Sequence, residues 1–265
     1  RNTEAETKQD QQTAKKPVEM FWPGLEDAVR AMPNHIARSS LFAPVARGRK
    51  KMHDRTVLVS RNDVTIMFTG RQLDEAQADV WMHLVFLARN TPLGDSVEIN
   101  RAALLEAIGR KKGGYQYNWL DHTMDDFMAA FLKIVAKRPD GGQKYNIGHT
   151  KAFHMLSEYG YNSDTETYTF TIDPRWAVIF GNREYGLIDW PKRLQISQGM
   201  DIAKALQRLF STSKNTPQRY ALDWLKDYAQ YTGRMRDFKV TLKKAMDELK
   251  RLQLVNSWII GQSKK

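Results

Sequence analysis

A chain of 265 residues with a 42% hydrophobic fraction has room for about two domains of the usual ~100–200 residues, and enough apolar side chains for real cores. It contains no cysteine, which excludes disulfides and thiolate metal or redox sites and fits a reducing cytoplasm. The net charge is +11, and nearly all of it lies in residues 174–265, with 18 Lys+Arg against 8 Asp+Glu, while residues 1–173 hold 23 against 22. Cations clustered in one compact region release the counterions condensed on a polyanion, the electrostatic footprint of nucleic-acid binding. A solvated basic surface gives the same count, so charge alone leaves both readings open. The longest apolar run, residues 80–88, is broken by His83 and falls far short of the ~20 residues of a membrane span. No signal peptide pattern is present, and Arg1 in place of Met leaves room for a longer natural N-terminus.

Residues 1–25 read as a mobile polar tail with Phe21, Trp22 and Pro23 as anchors near its end. Arg47-Gly48-Arg49-Lys50-Lys51 forms a short basic loop. Strands are expected over 56–60 and 64–69, joined by the turn residues Arg61-Asn62-Asp63. A helix over 73–90 turns Val80, Trp81, Leu84, Val85 and Leu87 inward and stops at Thr91-Pro92-Leu93-Gly94. After a brief strand at 97–99, Asn100 caps a short helix over 101–108 that Gly109 closes. A longer helix is expected over 117–136, with Leu120, Met124, Phe127, Met128, Phe131, Leu132 and Val135 at mostly 3–4 residue steps. Segments 145–157 and 167–172, split by a polar tip at 160–166, read as a β-hairpin.

Short helix, turn, longer helix, hairpin is the order of a winged helix. The order then repeats: a helix over 201–211, a strand at 218–222, helices over 223–231 and 233–252, and a terminal strand at 254–260. Pro174 is the natural joint. The expected fold is therefore α+β, two tandem winged-helix domains, with the first at 26–173 and the second at 174–265.

The helix over 233–252 carries the charge. Met235, Phe238, Leu242, Ala245, Met246, Leu249 and Leu252 form one apolar stripe. Arg236, Lys239 and Lys243 repeat the same spacing about 120° away at ~100° per residue, Lys244 widens that stripe, and Arg234 sits in the opening turn. This is how a recognition helix is built: Arg reads guanine bidentately and Lys holds phosphate. A surface helix with snorkelling cations is the alternative. The first long helix differs, because Asp121, Asp125 and Asp126 fall where phosphate would lie, while Arg110, Lys111, Lys112, Tyr115 and Tyr117 at its start could meet a backbone. The first half thus reads as a protein-contact domain with an accessory DNA edge.

The residues for catalysis are missing. Residues 109–114 superficially suggest a phosphate loop, but Tyr115 stands where its Lys is required. His35, His53, His83, His122, His149 and His154 include no HxH or HExxH pair, and His149 and His154 read as structural. No nucleophile elbow or paired-carboxylate site stands out. The expectation is a protein that is not an enzyme, with no metal and no cofactor.

Arg30-Ala31-Met32-Pro33-Asn34 with Ala37-Arg38-Ser39 and Leu41-Phe42 resembles the opening of TrfA-type plasmid replication initiators, the iteron-binding Rep proteins. Residues 64–70 (VTIMFTG), 89–94 (RNTPLG) and 254–258 (LVNSW) resemble further blocks of that family in the same order, over roughly residues 21–260. The resemblance implies two tandem winged-helix domains and binding as a monomer to directly repeated double-stranded origin sites. It also implies melting of adjacent AT-rich DNA, with its single strands as a further ligand, and recruitment of the host's DnaA and replicative helicase. Self-association into a dimer is implied as the inactive or repressing state. By the same resemblance Arg234, Arg236, Lys239 and Lys243 fall on the family's basic recognition helix. One departure concerns the sliding clamp: residues 17–21 (PVEMF) keep the apolar-Phe end of a clamp-binding peptide but lack its Gln. The competing reading is a dimeric winged-helix transcriptional repressor, which would bind a palindrome rather than direct repeats.

Overall fold

The computed structural model describes residues 26–45, 50–148, 153–181 and 184–261. The tail at 1–25 with its anchors and the PVEMF peptide, residues 47–49 of the basic loop, and His149 lie outside the described residues. The two ends of the first unit meet in the antiparallel strands β1 (Val29–Pro33) and β11 (Tyr185–Asp189), with Val29 opposite Asp189 and Pro33 opposite Tyr185. α1 (Asn34–Ala37) and β2 (Phe42–Ala43) follow, and β2 pairs in parallel with β5 (Leu73–Asp74). β3 (Met52–Val57) and β4 (Val64–Arg71) make the expected antiparallel pair, although β3 begins at Met52 rather than residue 56.

α2 (Glu75–Leu87) starts at a capping box: the Gln77 N–H donates to Asp74 Oδ1 at 2.9 Å, and the Asp74 N–H donates to Gln77 Oε1 at 3.1 Å. The helix is buried on nearly every side, so it is the post around which the first unit is packed. β6 (Val97–Asn100) leads into α3 (Arg101–Ala107), whose Asn100 cap accepts from the N–H groups of Ala102 and Ala103 as expected. Gly109, at φ +71°, takes the left-handed conformation that stops this helix. α4 (Gly114–Ala129) completes the helix pair, and β9 (Leu156–Asn162) and β10 (Thr167–Ile172) form the wing, with β10 central in the sheet order β6-β10-β9. This is a complete winged helix.

Two expected elements are each split in two. The helix over 117–136 ends at Ala129, and β7 (Phe131–Lys137) follows after one extended residue. Here period 2 wins over period 3.6: Leu132, Ile134 and Ala136 alternate inward and pair with Phe68, Ile66 and Val64 of β4. Phe131, Leu132 and Val135 therefore belong to a strand, not to a helical stripe. The strand over 145–157 divides likewise into β8 (Gln143–Ile147), paired with β7, and β9 in the wing. Gly148 ends β8 at φ +84°, where a Cβ would collide with the Leu132 carbonyl oxygen. The insertion between α4 and the wing thus completes a second antiparallel sheet, ordered β3-β4-β7-β8.

The apolar cores part between Trp190 and Ile196, not at Pro174. α5 (Trp176–Phe180) still belongs to the first unit, where the Trp176 ring meets Trp81 (4.8 Å between centroids) and Phe153 (5.0 Å). The charge asymmetry survives this shift, since residues 191–265 hold 16 Lys+Arg against 6 Asp+Glu. α6 (Trp190–Leu194) carries the chain into the second unit, built from α7 (Asp201–Phe210), α8 (Leu222–Tyr228) and α9 (Met235–Arg251). Neither strand expected at 218–222 or 254–260 forms. Leu254, Val255, Trp258 and Ile260 instead rest half-buried on the helical core as an unpaired extended segment. Apolar residues that pack on helices are buried without a ladder partner. The second unit therefore keeps the helix-turn-helix of a winged helix, without a paired wing among the described residues. Among those residues no helix is long and apolar enough to cross a membrane.

Buried charges lock the two units together. Glu75 of α2 accepts from Arg193 Nη2 (2.8 Å) and from Arg208, and all three side chains are 0% exposed. Asp79, one turn on, accepts from Arg193 and Lys204. Burial alone would raise the Asp79 carboxyl, but Arg193 and Lys204 outweigh it and hold it below its ordinary value. Around this centre Arg208 donates to the Phe42 carbonyl (2.7 Å), Arg38 to the Thr212 carbonyl (2.6 Å) and the Tyr228 hydroxyl to the Ala37 carbonyl (2.8 Å).

At the joint, His83 stacks between Phe86 and Trp190, and Arg30 Nε donates to its Nδ1 at 3.3 Å. Burial first, then Arg30 and Arg89, push the His83 pKa down from 6.5 to about 3. The unfolded chain binds a proton at this site over that window and the folded one does not. Stability from this group is therefore present above about pH 6.5 and is lost as pH falls toward about 3. His83→Gln should flatten that part of a stability–pH profile followed by urea unfolding. An unchanged slope would assign the acid loss to other groups.

Candidate nucleic-acid interface

Sequence chemistry puts α9 on the surface by its own pattern. Phe238, Leu242, Ala245 and Leu249 are buried against α7 and α8, as their spacing required. The turn that aims it is set by Tyr231, whose ring lies 5.3 Å from that of Phe238, while its N–H donates to the Lys226 carbonyl at 3.0 Å. Gln230 is left-handed (φ +49°), and a Cβ on Gly233 would lie 2.6 Å from the Tyr231 ring, so a larger residue there would push that ring aside. α8 is held from behind by stacked rings, Tyr220 on Trp224 (6.0 Å) and Trp224 on Tyr228 (5.2 Å).

The opposite side of α9 is cationic. Arg234, Arg236, Lys243 and Lys244 are exposed and Lys239 is half-buried. Arg234 is the N-cap residue and Asp237 the acid of the first turn. Asp237 binds both arginines: Arg234 Nε donates to its Oδ2 at 2.9 Å, and Arg236 Nε lies 3.6 Å from its Oδ1. Val240, 52% exposed, sits one turn beyond Arg236 and one before Lys243 and Lys244. An apolar side chain open to water amid cations matches the thymine methyl of a major groove. Sequence reasoning passed over Val240 because a lone apolar residue outside the stripe carries no signal until its exposure is known.

At the other end of α9, Glu248 accepts from the Ser197 N–H (2.7 Å) and from Arg251 (2.8 Å). This ties the helix to the α6–α7 loop. The Arg251 hydrogen bond, supported by Ser197, draws the Glu248 pKa down to about 2 against the opposing effect of burial.

The residues expected at the first unit's edge divide. Lys111, Lys112 and Tyr115 are exposed at the α3–α4 turn, with Lys112 paired to Glu106 at 2.8 Å. Arg110 lies instead over the Trp119 ring at 3.7 Å and donates to Gln116 at 2.7 Å, which braces the start of α4. Tyr117 is half-buried beneath Arg101, whose guanidinium lies 4.0 Å from the ring centre. The three acids of α4 do not await phosphate. Asp121 accepts from the Tyr168 hydroxyl, Asp125 from the Tyr159 hydroxyl and Asp126 from Gln77 Nε2 (2.8 Å). They hold the helix to the wing and to α2, but the donors are neutral and cancel no charge, so Asp125, 61% exposed, still disfavours phosphate along this face. The ridge of α4 open to solvent runs through Tyr115, Asn118, His122 and Asp125.

A family profile described as TrfA protein matches residues 5–263. The plasmid replication initiator protein TrfA of Escherichia coli is 23% identical over 249 residues, which are 90% of this chain. The chain spans about 60% of that relative's length. Among solved structures, domains 2 and 3 of RctB, as a selenomethionine derivative, align with a TM-score of 0.53 at 11% identity. That alignment covers 78% of this chain and 81% of that one, and at such identity it shows the shared fold alone. Another crystal of RctB domains 2–3 aligns with a TM-score of 0.46 at 13% identity, over 80% of each chain.

Proposed function

The chain belongs to the TrfA protein family, and from that premise we propose that it starts plasmid replication by binding directly repeated double-stranded sites at the origin through α9. The observation that carries this reading is the exposed face of Arg236, Val240, Lys243 and Lys244. It stands clear of the core, on the second helix of a helix-turn-helix, in the unit that holds the positive charge. Arginine and valine supply base-edge contacts, and the lysines supply phosphate contacts that fix register. The α3–α4 turn of the first unit, with Lys111, Lys112 and Tyr115, adds a second contact on the same duplex. Two modules tethered on one site bind more tightly than either alone.

The work is binding and distortion of DNA in a bacterial cytoplasm, not catalysis. Family membership and the earlier resemblance support melting of an adjacent AT-rich tract, hand-over of its single strands, and recruitment of host DnaA and replicative helicase. They also support a dimer, formed through the first unit, as the resting state that competes with monomer binding. Two helices on one face of a duplex would sit about one turn, roughly 10 bp, apart.

Footprinting the full chain on its parent replicon, with the mass of each complex measured, tests the reading. Protection of direct repeats beside AT-rich DNA, one protein per repeat, is expected. Protection of a palindrome by two proteins would replace initiator with repressor.

A further inference from the structure

We infer that Asp237 is a positioning residue for DNA reading, bracing Arg234 and Arg236 so that their guanidinium ends meet bases in a fixed orientation. The inference rests on the α9 reading above and adds to it the source of specificity within the first turn. Asp237 lies between the two arginines and offers one oxygen to each, Oδ2 to Arg234 and Oδ1 to Arg236, in both cases on the Nε side. With Asp237 hydrogen-bonded to Nε of Arg234 and ion-paired with Nε of Arg236, no described contact of Asp237 uses the Nη pair, the end-on fork that can meet guanine O6 and N7. Both arginines are otherwise open to water, with side chains 75% and 79% exposed, so no packing holds them.

An acid on the DNA-facing turn weakens attraction to phosphate wherever the protein lands. Its effect on a correct site is the opposite, because two long side chains already held in place lose less freedom on binding. Asp237 also meets the positive end of the helix, and that accounts for an acid in the first turn. It does not account for the link to two arginines on either side.

The test uses the full chain. Selection from randomised duplexes defines the bound site, and affinities are then measured on a duplex carrying it and on a scrambled duplex of equal length. Asp237→Ala should bind the scrambled duplex more tightly and the selected duplex more weakly, so that the ratio falls about tenfold, the scale of two freed side chains. Repeating the selection with this variant should relax base preference at the positions next to the first turn. In an Arg234→Ala, Arg236→Ala background the same substitution should change the ratio no further. Equal gains on both duplexes would mark Asp237 as a repelling surface charge and overturn the inference. Reduced thermal stability with an unchanged ratio would assign it to the helix end alone, with the same consequence. Arg236→Ala in parallel separates the two levels: wild-type binding by that variant removes the α9 reading itself.

Discussion

Glu75→Gln should lower the unfolding free energy by about 3–5 kcal/mol, the cost of removing one partner from a buried ion pair. The carboxylate is 0% exposed and receives both Arg193 and Arg208, which are 0% exposed as well. An amide of the same shape keeps the packing and deletes the charge. Asp79 still pairs Arg193, but the amide keeps only one acceptor oxygen and turns an NH2 toward a buried guanidinium, so the Arg208 charge loses its carboxylate partner. Because Glu75 lies in α2 and the arginines in α6 and α7, the lost interaction is between units. Urea unfolding followed by fluorescence should therefore shift its midpoint and split toward two transitions. Glu184→Gln is the control: its carboxylate and its Lys144 partner are both partly open, so less than about 1 kcal/mol is expected, although buried His35 lies 3.8 Å away. A loss of that small size for Glu75→Gln would show that the interface is held by its apolar contacts instead. The same geometry bears on truncation. A fragment beginning near Pro174 would strip β11 from β1, so a test of the separate units belongs at about residue 191, where Arg193 and Arg208 still lose their carboxylates but both cores stay whole.

Arg236→Ala should weaken binding to the selected site by about 1–3 kcal/mol and relax one base position, whereas Lys239→Ala should weaken all duplexes alike and reduce the salt slope by about one. Neither residue contributes to the buried stripe of α9, so circular dichroism and thermal unfolding should stay those of the parent chain. Anisotropy titrations at ~150 mM salt, near physiological ionic strength, measure both effects. Parent-like affinity in both variants would mean that α9 is a solvated helix with long cationic side chains, the alternative that its composition leaves open.

Wherever one local pattern dominated, the chain could be read directly. The stripe of α9 and its cationic flank, the Asn100 cap and the Gly109 stop all follow from spacing and backbone chemistry within a turn or two. The basic character of the second unit is likewise a property of composition and does not depend on where the boundary falls.

Tertiary structure decided everything that turns on a partner far away in the chain. Residues 131–137 satisfy a helical period and a strand period together, and pairing with β4, more than sixty residues earlier, selects the strand. Residues 254–260 are rich in the apolar, β-branched and aromatic types that favour a strand, yet they pair with no strand among the described residues, and packing on helices takes them instead. The joint moved from Pro174 to beyond Trp190 because β11 pairs with β1, a contact no local signal announces. Asp121, Asp125 and Asp126 hold α4 to the wing and to α2 through two tyrosines and Gln77, contacts that no local pattern announces. The same holds for Glu75, Asp79, Arg193 and Arg208. Along the chain they are ordinary charges, and only burial at an interface, where desolvation makes pairing obligatory, makes them the link between the two units.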